Sequence, residues 1–346
     1  MASRRHGAGI VATLVATVSV TAAVPQVAAA VAPAHWRPFA RLPWTIDLTR
    51  PRLDGRLTLS TGGRLGVLRP GRALVPFARG PAGYRTAVPG AGGNEPYITL
   101  TSARRVPGAG CGFLRDEVIA LEPKGHVGVV RVGPTRRARW LADLPADQLP
   151  NSIAFDTAGT FGHRVLVTAA LADRTKANLY AIDCRGRVAT LTAGMPVVEG
   201  GANIAPRSFG RFGGQLIVPD ERSGEIRSIN ARGQVQVVAR SGLPIGPDTG
   251  VDAAGFVPLG FSDRWAALMA DRDGQPGVHP GTNTLLGISG RALRLAGVRA
   301  GDLLVANEGG GATIAVRCGR LGCSVRRVAS GPAISHPEGH IVVTAR

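Results

Sequence analysis

The feature that most constrains the fold of this chain is a repeat of short apolar segments separated by glycine turns. The segment R-F-G-G-Q-L-I-V at 211–218 matches T-F-G-H-R-V-L-V at 160–167, and I-N-A-R-G-Q-V at 229–235 matches I-D-C-R-G-R-V at 182–188. Each Arg-Gly pair stands where a hairpin needs a residue that tolerates positive φ. The matches recur after about 50 residues, and four short strands in such a length are typical of one blade of a β-propeller.

Counting these units along the 346 residues gives about six blades. Glycine (48) and proline (25) are abundant and aromatic residues make up 5%, which favours many short strands over long helices. The last apolar segment, H-I-V-V-T at 340–344, resembles a first strand, whereas the group at 56–77 resembles outer strands without one. We therefore predict an all-β, six-bladed β-propeller closed by pairing the C-terminal strand with the N-terminal blade. A two-sheet sandwich is the competing fold, but it gives no reason for the repeat spacing.

The N-terminal region has the composition of an export signal. Arg4 and Arg5 are followed by an apolar run over 9–24 and by alanines at 28–30, which predicts a signal peptide over residues 1–30 and no membrane span after its removal. The twin arginines leave Sec and Tat export both open. The Pro- and Trp-rich segment 31–54 is expected to be a leader that packs on the surface or stays loose, and residues 55–346 to form the propeller. We expect a secreted or cell-envelope protein.

Four cysteines remain after export, which is typical of disulfides in an oxidising compartment. Cys318 and Cys323 flank two glycines between strand-like segments, so a hairpin would join them and leave Cys111 to pair with Cys184. The spacing does not fit a zinc site.

The formal charge of +18 falls to +16 when Arg4 and Arg5 are removed. The arginines are scattered, which indicates mainly solvated strand faces and, secondarily, a surface for an anionic envelope polymer. We expect no specific nucleic-acid partner and a monomer.

The residues that precede the first strands of the predicted blades carry side-chain oxygens. They are Glu95, Asn151, Glu199, Asp252 and Glu338. First strands line the channel of a propeller, so these groups would converge at its mouth and repel one another unless a cation lay among them. A hard cation such as Ca²⁺ binds six to eight oxygen ligands, which predicts a divalent cation site, most simply for Ca²⁺. The alternative is that each side chain hydrogen-bonds its local turn.

Two residues near this mouth are candidates for catalysis. His336 flanks Glu338, and a histidine beside a carboxylate can act as a general base; Asp252 is the other candidate base. The alternative for His336 is a hydrogen-bonded turn histidine. The sequence contains neither a nucleophile elbow nor a phosphate-binding loop.

The segments P-N-S-I-A-F-D at 150–156, E-G-G at 199–201 and P-E-G at 337–339 resemble blade motifs of the gluconolactonase/regucalcin-like six-bladed propellers, and are shared with NHL- and TolB-like propellers. The F-G-x-F-G-G segment is similar to a group of exported actinobacterial propellers. The resemblance implies a divalent cation held by Glu199 and Asn151, with Asp252 as ligand and base. Ser152 replaces the usual glycine, and Asp252 lacks the following glycine of the family motif.

Two functions follow as hypotheses. One is an exported propeller with a cation-centred pocket that acts as a metal-dependent lactonase or esterase on a small molecule in the central channel. The other is a non-catalytic secreted propeller that binds a small ligand, a protein or an anionic envelope polymer.

Overall fold

The structure is a computed structural model that describes residues 33–42, 44–61, 63–69, 72–78, 95–122, 126–272 and 277–345. The predicted signal peptide at 1–30 and the glycine-rich segment at 82–94 lie outside these residues. Within the described ranges no helix is long and apolar enough to cross a bilayer.

The described chain is almost entirely β-structure, with short strands, one 3₁₀ turn at Gly210–Phe212 and one helix, α1, at Gly290–Leu295. The strands of the first half are β1 Ala34–His35, β2 Arg37–Arg41, β3 Thr45–Leu48, β4 Leu57–Thr61, β5 Arg64–Leu68, β6 Val75–Ala78, β7 Ile98–Leu100, β8 Arg104–Val106, β9 Cys111–Phe113, β10 Val118–Glu122, β11 Gly128–Val132, β12 Ala138–Asp143, β13 Leu149–Phe155 and β14 Val165–Ala170. The strands of the second half are β15 Ala177–Ile182, β16 Val188–Met195, β17 Asn203–Ile204, β18 Leu216–Asp220, β19 Glu225–Ile229, β20 Val235–Arg240, β21 Val251–Phe256, β22 Trp265–Asp271, β23 Thr284–Ser289, β24 Leu303–Asn307, β25 Thr313–Cys318, β26 Cys323–Ser330 and β27 Pro337–Ala345.

Four sheets have the antiparallel four-strand order of a propeller blade. Their orders are β3-β4-β5-β6, β7-β10-β11-β12, β13-β14-β15-β16 and β17-β18-β19-β20. The first strands contact one another in the sequence β3, β7, β13, β17, β21, β27 and back to β3, so the arrangement is closed and propeller-like. The sequence repeat is confirmed where it was most specific, because Gly186 and Gly233 both adopt positive φ in the last hairpins of neighbouring sheets.

The remaining large sheet has nine strands in the order β1-β26-β25-β24-β21-β27-β22-β23-β2. Its two parts meet where β21 and β27 run parallel, with Ala254 opposite His340. The chain interleaves these parts, because β22 pairs with β27 and β23 pairs with β22, while β24 returns to β21. Sequence order alone therefore does not give the pairing in this region.

Three expectations from the sequence are wrong in detail. The C-terminal strand β27 pairs with β22 and not with the group at 56–77, because that group has its own first strand, β3. The expectation that residues 31–54 form a surface or loose leader does not hold for residues 34–48, which supply β1, β2 and β3. The segment A-L-R-L-A at 292–296, whose alternating apolar residues predict a strand, lies instead in and just after helix α1, whose N-cap Ser289 accepts a hydrogen bond from the backbone N–H of Ala292.

The apolar faces of neighbouring sheets pack together and form the core. Phe209 and Phe212 of the F-G-R-F-G-G segment are buried there, as expected for a turn with a packing role. Both predicted disulfides are present: Cys111 joins Cys184, and Cys318 joins Cys323 directly across the β25–β26 register. These bridges fit folding in an oxidising compartment.

Candidate functional site

A group of acidic side chains lies at the end of the channel where the first strands begin. The group comprises Glu95, Glu199, Glu221, Asp252, Glu308 and Glu338. Two basic side chains, Arg272 and His336, lie among them. Full ionisation would leave four negative charges without a positive partner in this group, which we call the acidic cluster.

Arg272 provides a positive charge within the chain itself. It follows the last residue of β22, its side chain is 5% exposed, and its guanidinium forms ion pairs with both Glu95 and Glu338. Two of the five side chains predicted to bind a cation therefore already share one arginine as their partner. Removing one member of such a buried pair leaves an uncompensated charge.

Glu338 is held in its ionised form by several groups. Burial alone would raise its pKa, but Arg272, His336 and the Tyr97 hydroxyl outweigh burial and bring the pKa to about 2. The Tyr97 hydroxyl donates to Glu338 Oε2 at 2.7 Å. Both carboxylate oxygens of Glu338 are thus engaged, so this side chain is poorly suited to take up a further cation.

His336 lies between two of the carboxylates. Its Nε2 is 3.3 Å from Glu338 Oε1 and 3.4 Å from Glu308 Oε1. Burial would lower the pKa of His336, but hydrogen bonds to these two carboxylates raise it to about 10. The imidazole is therefore protonated at neutral pH and acts as a donor, so it is not available as the general base suggested by the sequence.

Asp252 and Glu308 carry the unsatisfied oxygens of the cluster. Asp252 is fully buried; its Oδ1 accepts the backbone N–H of Gly339 at 2.9 Å, whereas its Oδ2 has no hydrogen-bond partner among the described residues. Glu308 Oε2 is likewise buried and unpartnered there. Burial raises the pKa of both carboxyls well above their usual range, and neighbouring carboxylates, including Glu338, add to the shift. A buried oxygen without a partner is costly, so a water molecule or an ion is expected beside these two oxygens.

Glu199 and Glu221 complete the acidic cluster. Burial raises the pKa of Glu199 well above its usual range, and the charge of Glu95, which lies within hydrogen-bonding range, adds to this effect. Burial also raises the pKa of Glu221 to about 7, with Glu338 contributing. Two carboxyls whose pKa values differ as much as those of Glu338 and Glu221 can act as a base and as an acid, respectively.

Asn151, another predicted ligand, already has a hydrogen-bond partner within its own sheet. Its side-chain oxygen accepts the hydroxyl of Thr168 at 3.0 Å, and its backbone oxygen accepts the N–H of Gly200 at 3.0 Å. The side chain thus ties β13 to β14, and the backbone ties β13 to the segment before β17. The side-chain partner, Thr168, lies on the neighbouring strand and not in the local turn that the alternative interpretation of the sequence named.

Close backbone approach fixes the position of Asp252. Gly200 has a φ of +75°, and a Cβ built there would lie 2.1 Å from Asp252 Oδ1. Only glycine allows both the backbone conformation and the contact. Residue 200, beside Glu199, must therefore be glycine, because the Asp252 carboxylate of a neighbouring strand occupies the space that a side chain at this position would need.

The opposite end of the channel is chemically different. A cavity of about 230 Å³ is bordered there by the ends of the same first strands, including residues 49–51, 98–100 and 340–343. His340 lines it and bridges Asp47, through Nδ1 at 2.9 Å, and the carbonyl of Ala202, through Nε2 at 2.8 Å. Both ring nitrogens are therefore used in holding three strands together.

The sequence reasoning missed Arg272, Glu308 and Tyr97. Arg272 and Glu308 lie at the ends of β22 and β24, the strands whose pairing is interleaved, so no reading in chain order would bring them to the channel mouth. Tyr97 lies two residues after Glu95 and could have been found from that spacing. Glu221 follows the last residue of β18 as one of an acidic pair with Asp220, which the sequence alone leaves as either a group near the site or a solvated turn.

Three residues of the acidic cluster have the spacing of a metal site, but two basic side chains oppose a cation there. Ligand atoms of Glu308, His336 and Glu338 all lie within 4.8 Å of one another. A cation in contact with Glu338 or Glu95 would face the Arg272 guanidinium, and His336 would have to lose its proton first. The unpartnered Asp252 Oδ2 and Glu308 Oε2, with Glu199 and Glu221 nearby, present the oxygen ligands that Ca²⁺ prefers.

No protein-family model matches the sequence. No functionally curated protein matches it either. Among solved structures, virginiamycin B lyase from Staphylococcus aureus is similar over 84% of this chain and 73% of its own, with 10% identity and a TM-score of 0.45. Oligogalacturonate lyase from Vibrio parahaemolyticus aligns over 85% and 67% (7% identity, TM-score 0.42), and a gluconolactonase from Xanthomonas campestris over 78% and 99% (12% identity, TM-score 0.36). At these scores we draw no argument from the matches.

Proposed function

We propose that this chain is an exported six-bladed β-propeller that binds a divalent cation, most simply Ca²⁺, in the acidic cluster at its channel mouth. The blade number follows if the nine-stranded sheet is counted as two blades, β21-β24-β25-β26 and β27-β22-β23-β2, which meet only through one parallel residue pair. With the four four-stranded sheets this gives six, and β1 is then an added edge strand.

The observation that carries the cation proposal is the pair of buried, unpartnered oxygens, Asp252 Oδ2 and Glu308 Oε2, in a cluster where carboxyls outnumber basic groups. Asp252 and Glu308 would be the main ligands, with Glu199 and Glu221 completing the set. Glu95 and Glu338 would instead form ion pairs with Arg272, and Asn151 would stay hydrogen-bonded to Thr168 of β14.

We further propose that the site acts on an ester or lactone. A bound cation would polarise the carbonyl of such a substrate. Of the two candidate bases, Asp252 is the better one, because His336, with a pKa of about 10, is already protonated at neutral pH. His336 would then donate a hydrogen bond, and Tyr97 and Arg272 would keep Glu338 ionised beside it.

The competing proposal is a non-catalytic propeller in which the cation is structural. The burial of Asp252, Glu308 and Glu338 favours this second function, because a substrate must reach the reacting groups.

The test is the thermal unfolding of the metal-free protein with and without Ca²⁺. We expect Ca²⁺ to raise Tm, since a ligand that binds only the folded state stabilises it. Asp252→Asn and Glu308→Gln should each raise the metal-free Tm, because each removes a repelling charge, and should abolish the Ca²⁺ response. Glu225→Gln is the matched control: this buried glutamate pairs with Arg227 and Arg240 in the outer strands, so its loss should leave the Ca²⁺ response intact.

A wild-type protein that shows no Ca²⁺-dependent shift would overturn the cation proposal. Turnover of a lactone and ester panel, lost in Asp252→Asn, would separate the enzyme from the non-catalytic binder.

A further inference from the structure

A second charged region lies at the end of the channel opposite the acidic cluster, beside the cavity bordered by residues 49–51. It contains six arginines from four connections. They are Arg50, Arg52 and Arg56 between β3 and β4, Arg69 after β5, Arg115 between β9 and β10, and Arg136 between β11 and β12. We call this group the arginine cluster. It spans two neighbouring sheets whose first strands, β3 and β7, are in contact.

Packing interactions hold the arginine cluster together in spite of the like charges. The guanidinium carbon of Arg52 lies 4.7 Å from the centroid of the Phe77 ring, and that of Arg136 lies 5.7 Å from the same centroid. Arg50 donates from Nη2 to the backbone oxygen of Thr101 at 2.8 Å. An aromatic face attracts a guanidinium, so Phe77 draws two arginines from different sheets toward one place.

The negative charges nearby are too few to neutralise the cluster. Asp54 pairs with Arg56, and Asp116 lies 3.7 Å from Arg50 while also accepting the backbone N–H of Leu53. Across the described ranges, no carboxylate forms an ion pair with Arg52, Arg115 or Arg136. Four of the six arginines, Arg69 included, therefore have no ion pair within the described part of the chain.

One arginine of the cluster has a hydrogen-bond donor without an acceptor in the described structure. Arg52 Nε is buried and has no hydrogen-bond partner in the described structure. Burial lowers the pKa of both Arg50 and Arg52, and the charges of neighbouring arginines lower it further, which shows that these guanidiniums repel one another. An anion placed among them would relieve this repulsion and supply the missing acceptors.

We propose that the arginine cluster binds a linear polymer that carries closely spaced tetrahedral oxyanions, phosphate or sulfate groups. The arginines project from four separate connections on two sheets, so they match a row of anions better than one small anion. Guanidinium groups bind such oxyanions through paired N–H donors. This binding function is independent of the cation site, because the arginines lie at the opposite ends of the first strands.

The test uses long-chain inorganic polyphosphate as the probe and orthophosphate as the single-anion comparison, with binding measured by titration calorimetry over a series of salt concentrations. Wild-type protein should bind polyphosphate with an affinity that falls as salt rises, since binding releases counterions. Arg52→Gln/Arg136→Gln should weaken binding about tenfold or more and give a shallower salt dependence.

The matched control is Arg326→Gln/Arg327→Gln, which removes the same charge from an exposed outer strand, β26, and should change affinity less than about twofold. Arg115→Gln, an exposed single change with no packing contact to Phe77, should weaken binding without altering Tm and so separates binding from folding. Equal losses in the cluster and control variants would overturn the proposal, because net charge would then explain the binding. The proposal would also be overturned if orthophosphate displaced polyphosphate at an equal concentration of phosphate groups, because the site would then be one for a single anion.

Discussion

Arg272 places its guanidinium against the carboxylate of Glu338, and the two side chains are only 5% and 1% exposed. The pair lies at the channel mouth, where the sequence predicts converging carboxylates. The chain thus supplies part of the positive charge that those carboxylates require, and the rest of the acidic cluster remains available to a cation from solution.

Arg272→Ala should destabilise the protein strongly, because it leaves Glu95 and Glu338 buried without their partner. We expect the free energy of unfolding in urea to fall by about 3–5 kcal/mol. Arg294→Ala is the control, since its ion pair with Asp263 is more than half exposed and should contribute about 0–1 kcal/mol. Similar losses in both variants would contradict the role given to Arg272.

Asp271 should make the free energy of unfolding decrease as the pH rises from 4 to 6. Burial raises its pKa from 3.8 to about 6, in spite of hydrogen bonds from Thr282 and His336. The folded state therefore binds more protons than the unfolded state within this window, so the free energy of unfolding falls as pH rises through it, by up to about 3 kcal/mol. Asp271→Asn should remove that part of the slope, measured by urea unfolding in metal-free buffers, and exposed Asp263→Asn should not.

Gly200→Ala should disturb the acidic cluster through Asp252. Both the φ of +75° and the 2.1 Å approach of Asp252 Oδ1 oppose a side chain. Gly108→Ala is the matched control, because its φ of +72° imposes the same backbone strain while its Cβ would lie in open space. We expect Gly200→Ala to be less stable than Gly108→Ala by about 2 kcal/mol or more. A double variant with Asp252→Ala should recover part of this difference; if the two glycine variants lose equally, the contact with Asp252 is unimportant.

Trp36 should anchor the N-terminal strands. It lies between β1 and β2, is 3% exposed, and its Nε1 donates to Thr313 Oγ1 at 2.7 Å. Trp36→Ala should cost about 3–5 kcal/mol of unfolding free energy. Trp140→Ala, which removes a partly exposed ring on β12, should cost much less, and a small loss at Trp36 would show that β1 and β2 do not stabilise the fold.

The two disulfides should differ in their effect on stability. Cys111 and Cys184 are separated by 73 positions and Cys318 and Cys323 by 5. In the chain-entropy description the longer loop gives about 4.5 kcal/mol and the shorter about 2 kcal/mol. The paired Ser variants should show this order in urea unfolding, and the reverse order would indicate that native-state packing around the bridges dominates.

Local patterns in the sequence predict much of this fold. The Arg-Gly hairpins depend on contacts between residues close together along the chain, and the disulfide pairs depend on the few pairings that four cysteines allow. The strand β3 was missed because T-I-D-L lies among prolines and tryptophans, which obscured its alternation.

The candidate site was harder to predict because its members come from strands whose order in space differs from their order in the chain. Glu338 and Asp252 were found because they stand at the start of a first strand. Arg272 and Glu308 stand at strand ends, and they reach the same mouth only because β22 and β24 pair with β27 and β21. No local spacing in the sequence predicts this interleaved strand pairing.

The nine-stranded sheet also sets an order of events during biosynthesis. It takes β1 and β2 from the start of the described chain, and the ribosome delivers β27 after the other eight strands of the sheet. Until then β22 lacks its inner neighbour, and its unpaired backbone N–H and C=O groups remain available for pairing with another chain, such as a chaperone. A chain threaded unfolded across a membrane would therefore close its ring only on the far side, whereas a chain exported in folded form must close it before transport.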